Sequence, residues 1–125
     1  MPPDAPQVFT RWETFCGWLL DCTEKMPKSA RFTFSQRIDN LALDVFENLV
    51  EARYSKAREP LLSRVNLDLE KLRLLLRLAF SRRYLGQRAL EHAAGELDTV
   101  GRMVGGWLRQ QRQGSAAPLG ISEVS

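Results

Sequence analysis

PLLSRVNLDLEKLRLLLRLAF, residues 60–80, is the stretch that decides the architecture. Leu62, Val65, Leu69, Leu72, Leu76 and Ala79 recur at three- and four-residue spacing, the period of an α-helix with one buried face. Asn66, Glu70, Arg73 and Arg77 form a narrow polar stripe beside that face. Leu67, Leu74 and Leu78 form a second apolar stripe opposite it. A helix with a polar ribbon between two apolar faces is sandwiched. One face belongs to the domain's own core. In a chain of 125 residues the other is most simply covered by another copy of the protein. Pro60 suits the start of such a helix, and the pattern predicts one from about Pro60 to Phe80.

Working outward, the same period appears three more times. Val8, Trp12, Phe15, Cys16, Leu19 and Thr23 stripe a first helix from about Val8 to Met26, which Pro27 stops. Trp18 falls off that stripe by about 120° and is an interface candidate. After a turn at Ser29–Thr33, a second helix is expected over Phe34–Tyr54, with Thr33 and Gln36 spaced as a capping box. Its inner stripe is Phe34, Ile38, Leu41, Val45, Leu49 and Ala52, and Leu43, Phe46 and Val50 make a second apolar face. A fourth helix is expected over Gln87–Gln111, with Leu90, Ala94, Leu97, Gly101, Val104 and Leu108 inside and Ala93, Val100 and Trp107 widening the stripe. Gly101, Gly105 and Gly106 cost helix stability, and the expected return is close approach of a neighbouring helix; a frayed final turn is the alternative for Gly105 and Gly106.

Four amphipathic helices with short links and no strand-like alternation read as an all-α, up-down-up-down four-helix bundle. The expected organisation is a flexible leader at 1–7, one bundle domain at 8–111 and a flexible tail at 112–125. Cys16 and Cys22 point about 120° apart on one helix, so they neither bridge nor share a metal and read as reduced packing residues. With no secretion signal and no long apolar run in the sequence, the expected location is the cytoplasm, without a membrane span.

No chemistry-bearing constellation stands out. His92 is the one histidine and sits on a polar flank, no His/Cys group has metal-ligand spacing, and Glu47 and Glu51 lack the Glu-x-x-His partners of di-iron bundles. No catalytic residue, metal or cofactor is therefore expected. The charge distribution is more informative. The formal net charge is +3, yet residues 1–52 hold 5 basic and 8 acidic residues while residues 53–112 hold 13 basic and 6 acidic. Lys71–Arg88 contains six basic residues and no acid. Such an excess attracts polyanions, although a solvated helix face has the same composition. The candidate contacts to nucleic acid or a polymerase are Arg53, Lys56, Arg58, Arg73, Arg77, Arg82, Arg83, Arg88, Arg102 and Arg109. Glu70 and Asp98 are competing partners for Arg73 and Arg102 respectively. No recognition helix, zinc finger or aromatic single-strand platform is evident.

The stretches TEKMPKSARFTFSQRIDNLALDVFENLVEARYS (23–55), NLDLEKLRLLLRLAF (66–80) and VGRMVGGWL (100–108) resemble the accessory variability determinant proteins of diversity-generating retroelements. Their superfamily includes proteins encoded by intervening sequences in bacterial 23S ribosomal RNA genes. The resemblance implies a homopentameric barrel of four-helix bundles that binds RNA or DNA and a partner reverse transcriptase, in support of mutagenic retrohoming and without an active site of its own. The alternative it leaves is an RNA-associated intervening-sequence protein with no retroelement role. Within the matching stretches, Arg31 and Arg37 are expected to order the turn into the second helix, with Asp44 nearby on the same face. Arg73, Arg77 and Arg102 are the leading contact residues, and Gly101, Gly105 and Trp107 read as packing elements.

Overall fold

A computed structural model describes the backbone of residues 5–124 and the side chains of residues 7–114. Among the described residues there are four α-helices and no strand: α1 (Ala5–Glu24), α2 (Gln36–Tyr54), α3 (Arg58–Ser81) and α4 (Gln87–Val124). Each helix packs on the next, and α4 returns to α1, so the four close around one core. With links this short, consecutive helices run antiparallel. Trp12, Phe15, Leu19, Ile38, Leu49, Leu62, Leu72, Leu76, Leu97 and Trp107 are its largest members. Each such side chain contributes about 1.5–3 kcal/mol relative to exposure. All six residues of the inner stripe read from 60–80 are buried.

Most differences from the sequence reading lie at helix ends. α1 begins at Ala5, so Ala5–Gln7 belongs to its first turn, and the leader expectation otherwise falls on residues 1–4, outside the described residues. The backbone of α4 continues past Gln111 to Val124; Arg112, assigned to the tail, is tied to α3 by a 2.9 Å ion pair with Glu59. Ser125 is not among the described residues. The capping box does not form. Instead, a 3-10 turn (Lys28–Ala30) runs into a π turn (Arg31–Ser35) that leads straight into α2. Thr33 donates to Ala30 O at 3.3 Å, and the buried Ser35 hydroxyl donates to Thr23 O at 3.2 Å. Thr23 in turn donates to Asp39 Oδ1 at 2.5 Å, joining the end of α1 to the start of α2.

The α4 face is rotated from the expected one. Ala93, Val100 and Trp107, read as the edge of the stripe, are fully buried, whereas Leu90, Ala94 and Gly101 are half-buried. The glycines accordingly admit no neighbouring helix within the chain. A Cβ placed on Gly101 meets nothing within 4 Å, and one on Gly105 meets the Arg109 guanidinium at 3.6 Å. The two large core tryptophans also differ. Trp12 Nε1 donates to Ala42 O at 3.0 Å, while Trp107 Nε1 finds no acceptor among the described residues.

Candidate nucleic-acid interface

The bundle gathers the basic residues into three regions whose local chemistry differs. The first is the groove between α3 and α4, about 530 Å³, where Arg73, Arg102 and Arg109 line the walls with Glu70 and Asp98, over Gly101 and Gly105. Arg73 is committed here: it pairs with Asp98 across the groove and with Glu70 at 3.5 Å on its own helix. Asp98 therefore belongs to Arg73, and Arg102 reaches Thr99 Oγ1 at 3.5 Å instead. Arg77 is exposed and makes no ion pair among the described residues.

The second region is the end where α2 turns into α3. Here one cation, Arg58, holds the backbone. Arg58 donates from Nε to Ala52 O at 2.8 Å and from Nη2 to Arg53 O at 3.4 Å, satisfying carbonyls left over at the C-terminus of α2. Arg53 lies 5.7 Å from the Phe9 ring centre and 5.9 Å from that of Tyr54. Lys56 is exposed without an ion pair among the described residues.

The third region is the opposite end, where the α1–α2 and α3–α4 connections meet. Their contact is direct: Phe34 stands edge-on to Tyr84 at 5.4 Å. Arg82 and Arg83 come from one connection and Arg88 from the first turn of α4 that follows it, while Lys25, Lys28 and Arg31 come from the other. None of these six makes an ion pair among the described residues. Sequence reasoning missed Lys25, Lys28 and Arg31 as company for the arginines. They lie in the acidic half of the chain, and chain reversal brings them over. Arg82 sits 5.6 Å from the Tyr84 ring centre and reaches its hydroxyl at 3.3 Å.

Arg83 occupies a position that glycine normally fills. The Tyr84 N–H donates to Ala79 O and the Arg83 N–H to Phe80 O, both at 2.9 Å, which is the Schellman closure of a helix. Its C′ residue adopts a left-handed conformation, and Arg83 has φ 64°. A side chain there costs up to about 1 kcal/mol relative to glycine.

Leu67, Leu74 and Leu78 lie on one ridge of α3, with Leu74 58% exposed, and Leu43 is exposed on α2. Phe46 is half-buried with its ring 6.0 Å from Phe9, and Val50 is likewise partly covered. Trp18 is partly spent inside the chain, stacked on Phe15 at 5.6 Å and edge-on to His92 at 4.6 Å.

One buried acid was not singled out from sequence. Asp68 lies at the core edge of α3, with Arg64 Nε at 3.4 Å and Lys71 Nζ at 3.9 Å but no hydrogen bond to either carboxylate oxygen among the described residues. Burial pushes its carboxyl above the ordinary value; Arg64 and Lys71 pull it back, and Asp44 pushes it up again. Asp44 thus adds to the electrostatic load on Asp68, and it makes no ion pair with Arg37 among the described residues. The signal was available, since Asp68 falls three residues from Val65 and four from Leu72. Burial also raises the Cys16 and Cys22 thiols, which favours their protonated form.

Among the described residues no group of three or more His, Cys, Asp or Glu side chains could hold a metal ion, and no helix is long and apolar enough to cross a membrane. What remains is a small helical bundle whose distinctive chemistry lies in cationic and aromatic surface groups. A family model described as bAvd-like matches residues 8–111. The chain therefore belongs to the bAvd-like family of accessory helical bundles, in agreement with the resemblance read from its sequence. No curated protein and no solved structure matches it.

Proposed function

We propose that this protein is the accessory component of a diversity-generating retroelement, acting in the cytoplasm as a homopentamer. In this reading it binds nucleic acid and the partner reverse transcriptase, and thereby supports mutagenic retrohoming. The polymerase performs the chemistry, and the accessory protein contributes affinity and geometry. Membership of the bAvd-like family over residues 8–111 carries the reading. Two physical features support it. Leu67, Leu74 and Leu78 are large apolar side chains exposed along one side of α3, as subunit contacts require. At one end six cations make no ion pair among the described residues, and the grooves that hold Lys25, Arg83 and Arg88 carry no acid, which leaves those three open to phosphate contacts.

Light scattering tests the assembly, with an expected mass near five times 14.3 kDa. Leu74→Glu places a charge on the ridge and is expected to reduce the particle to monomers while leaving the helical content intact. Titration with RNA and DNA is expected to show affinity that falls steeply with salt. A monomer that binds neither nucleic acid nor a reverse transcriptase at low salt would overturn the proposal. A gene lying inside a 23S ribosomal RNA gene, with no adjacent reverse transcriptase, would replace it with the intervening-sequence reading.

A further inference from the structure

Two grooves flank the α3–α4 connection and share Tyr84, Leu85 and Gly86. One, about 410 Å³, runs toward α1 and is walled by Trp18 and Tyr84, with Lys25 and Arg88 at its rim. The other, about 510 Å³, lies on the far side of the shared segment and carries Phe80 and Arg83. No acid lines either groove. Each thus combines an aromatic surface with at least one cation, and together they make a short track across the end of the bundle.

We propose that this end binds single-stranded nucleic acid, with unpaired bases seated against Trp18, Tyr84 and Phe80 and phosphates held by Lys25, Arg83 and Arg88. The inference rests on the reading above that nucleic acid is a ligand, and it goes further by naming the strand state and the site. The physical reason lies in the aromatics. A base inside a duplex already stacks on both faces and cannot enter a groove, whereas an unpaired base offers a free face to a ring. Basic residues alone would serve a duplex equally well; rings recessed between cations do not.

Two further observations point the same way. Tyr84 is held in place by Phe34 edge-on at 5.4 Å and by the Arg82 guanidinium at 5.6 Å, so its ring is oriented before any ligand arrives. Arg83 keeps a side chain at φ 64°, where glycine would close the helix without strain. Strain retained at an exposed cation is accounted for when that cation contacts a ligand.

The test uses the full-length protein and fluorescence anisotropy with oligo(U), oligo(dT) and a hairpin duplex of matched length. Either single strand is expected to bind about ten-fold more tightly than the duplex. Tyr84→Ala is expected to weaken single-strand binding about ten-fold while leaving duplex binding within about two-fold, and Tyr84→Phe is expected to restore it. If Tyr84→Ala does not fold, the exposed Arg88→Gln and Lys25→Gln variants take its place, with a single-strand loss and a lower salt slope expected. Oligo(U) is also expected to quench the wild-type tryptophan emission more than that of Trp18→Phe. Equal affinity for strand and duplex, unchanged by Tyr84→Ala, would overturn this inference and leave the accessory reading standing. Loss of reverse-transcriptase binding in these variants with unchanged single-strand affinity would make the end a protein-docking face and likewise overturn it. Absence of all nucleic-acid binding would instead remove the reading on which it rests.

Discussion

The α3–α4 groove and the paired-connection end of the bundle are both rich in arginine, yet their cations are in different states. In the groove, Arg73 is shared between Glu70 and Asp98. At the connection end, Lys25, Arg83 and Arg88 have no acid partner among the described residues and adjoin aromatic walls. A neutralised arginine ties helices together, whereas an unpaired one leaves its field available to a ligand. Charge density along the chain is therefore a poor guide to a binding surface. What matters is where acids from other helices fall.

Neutralising the two regions separately distinguishes free cations from paired ones. Changing Lys25, Arg82, Arg83 and Arg88 together to Gln is expected to lower single-strand affinity roughly 100-fold at low salt and to reduce the log–log salt slope by about three. Changing Arg73 and Arg102 to Gln is expected to cost less than about five-fold. Anisotropy titrations over a salt series compare the two, and equal losses would erase the distinction.

Stability sharpens it further. Asp68 is the buried acid on the other flank of α3, and its folded-state pKa lies above the unfolded value. The folded protein therefore holds that proton more tightly. The stabilisation from this group is fully present below the unfolded pKa and is lost as pH rises through the folded pKa. Asp68→Asn is expected to raise stability at neutral pH by about 1 kcal/mol, because a neutral amide is cheaper to bury than an ion without hydrogen bonds. It should also flatten the pH dependence of urea unfolding on the acid side. An unchanged dependence would show that Arg64 and Lys71 already compensate the charge.

Arg83→Gly is expected to gain a similar amount, up to about 1 kcal/mol, by relieving the left-handed residue, and to lose affinity in the same protein. Stability and binding then move in opposite directions at one position. The smallest effect belongs to the groove: Arg73→Gln is expected to lose about 0.5–1 kcal/mol in thermal unfolding as its two pairs are broken, with little change in ligand affinity. Were the signs at Arg83 and Arg73 reversed, the assignment of strain to one region and pairing to the other would be wrong.

Much of the fold was legible because helical burial is periodic. The positions of all four helices and the inner stripe of residues 60–80 followed from spacing that any buried helix must obey. The rotation of α4 was less legible, because Leu90, Ala94 and Gly101 have nearly the same period as Ala93, Val100 and Trp107, and only contact with α1 and α3 chooses between the two faces. The capping box failed for a related reason. Thr33 and Gln36 have the right spacing, but Ser35 is drawn inward to Thr23, and the backbone enters α2 through a π turn instead.

By itself the sequence determined the all-helical architecture, the double-sided third helix and the stock of cations, since each depends on residues within a few turns of one another. The tertiary structure decided which cations are free. Lys25 and Arg88 are far apart in the chain and meet because antiparallel helices return both connections to one end. Arg73 loses its availability to Asp98 because α3 and α4 pack at a particular rotation. Helical periodicity is a local property, whereas the balance of charge at a surface is a sum over every helix that reaches it.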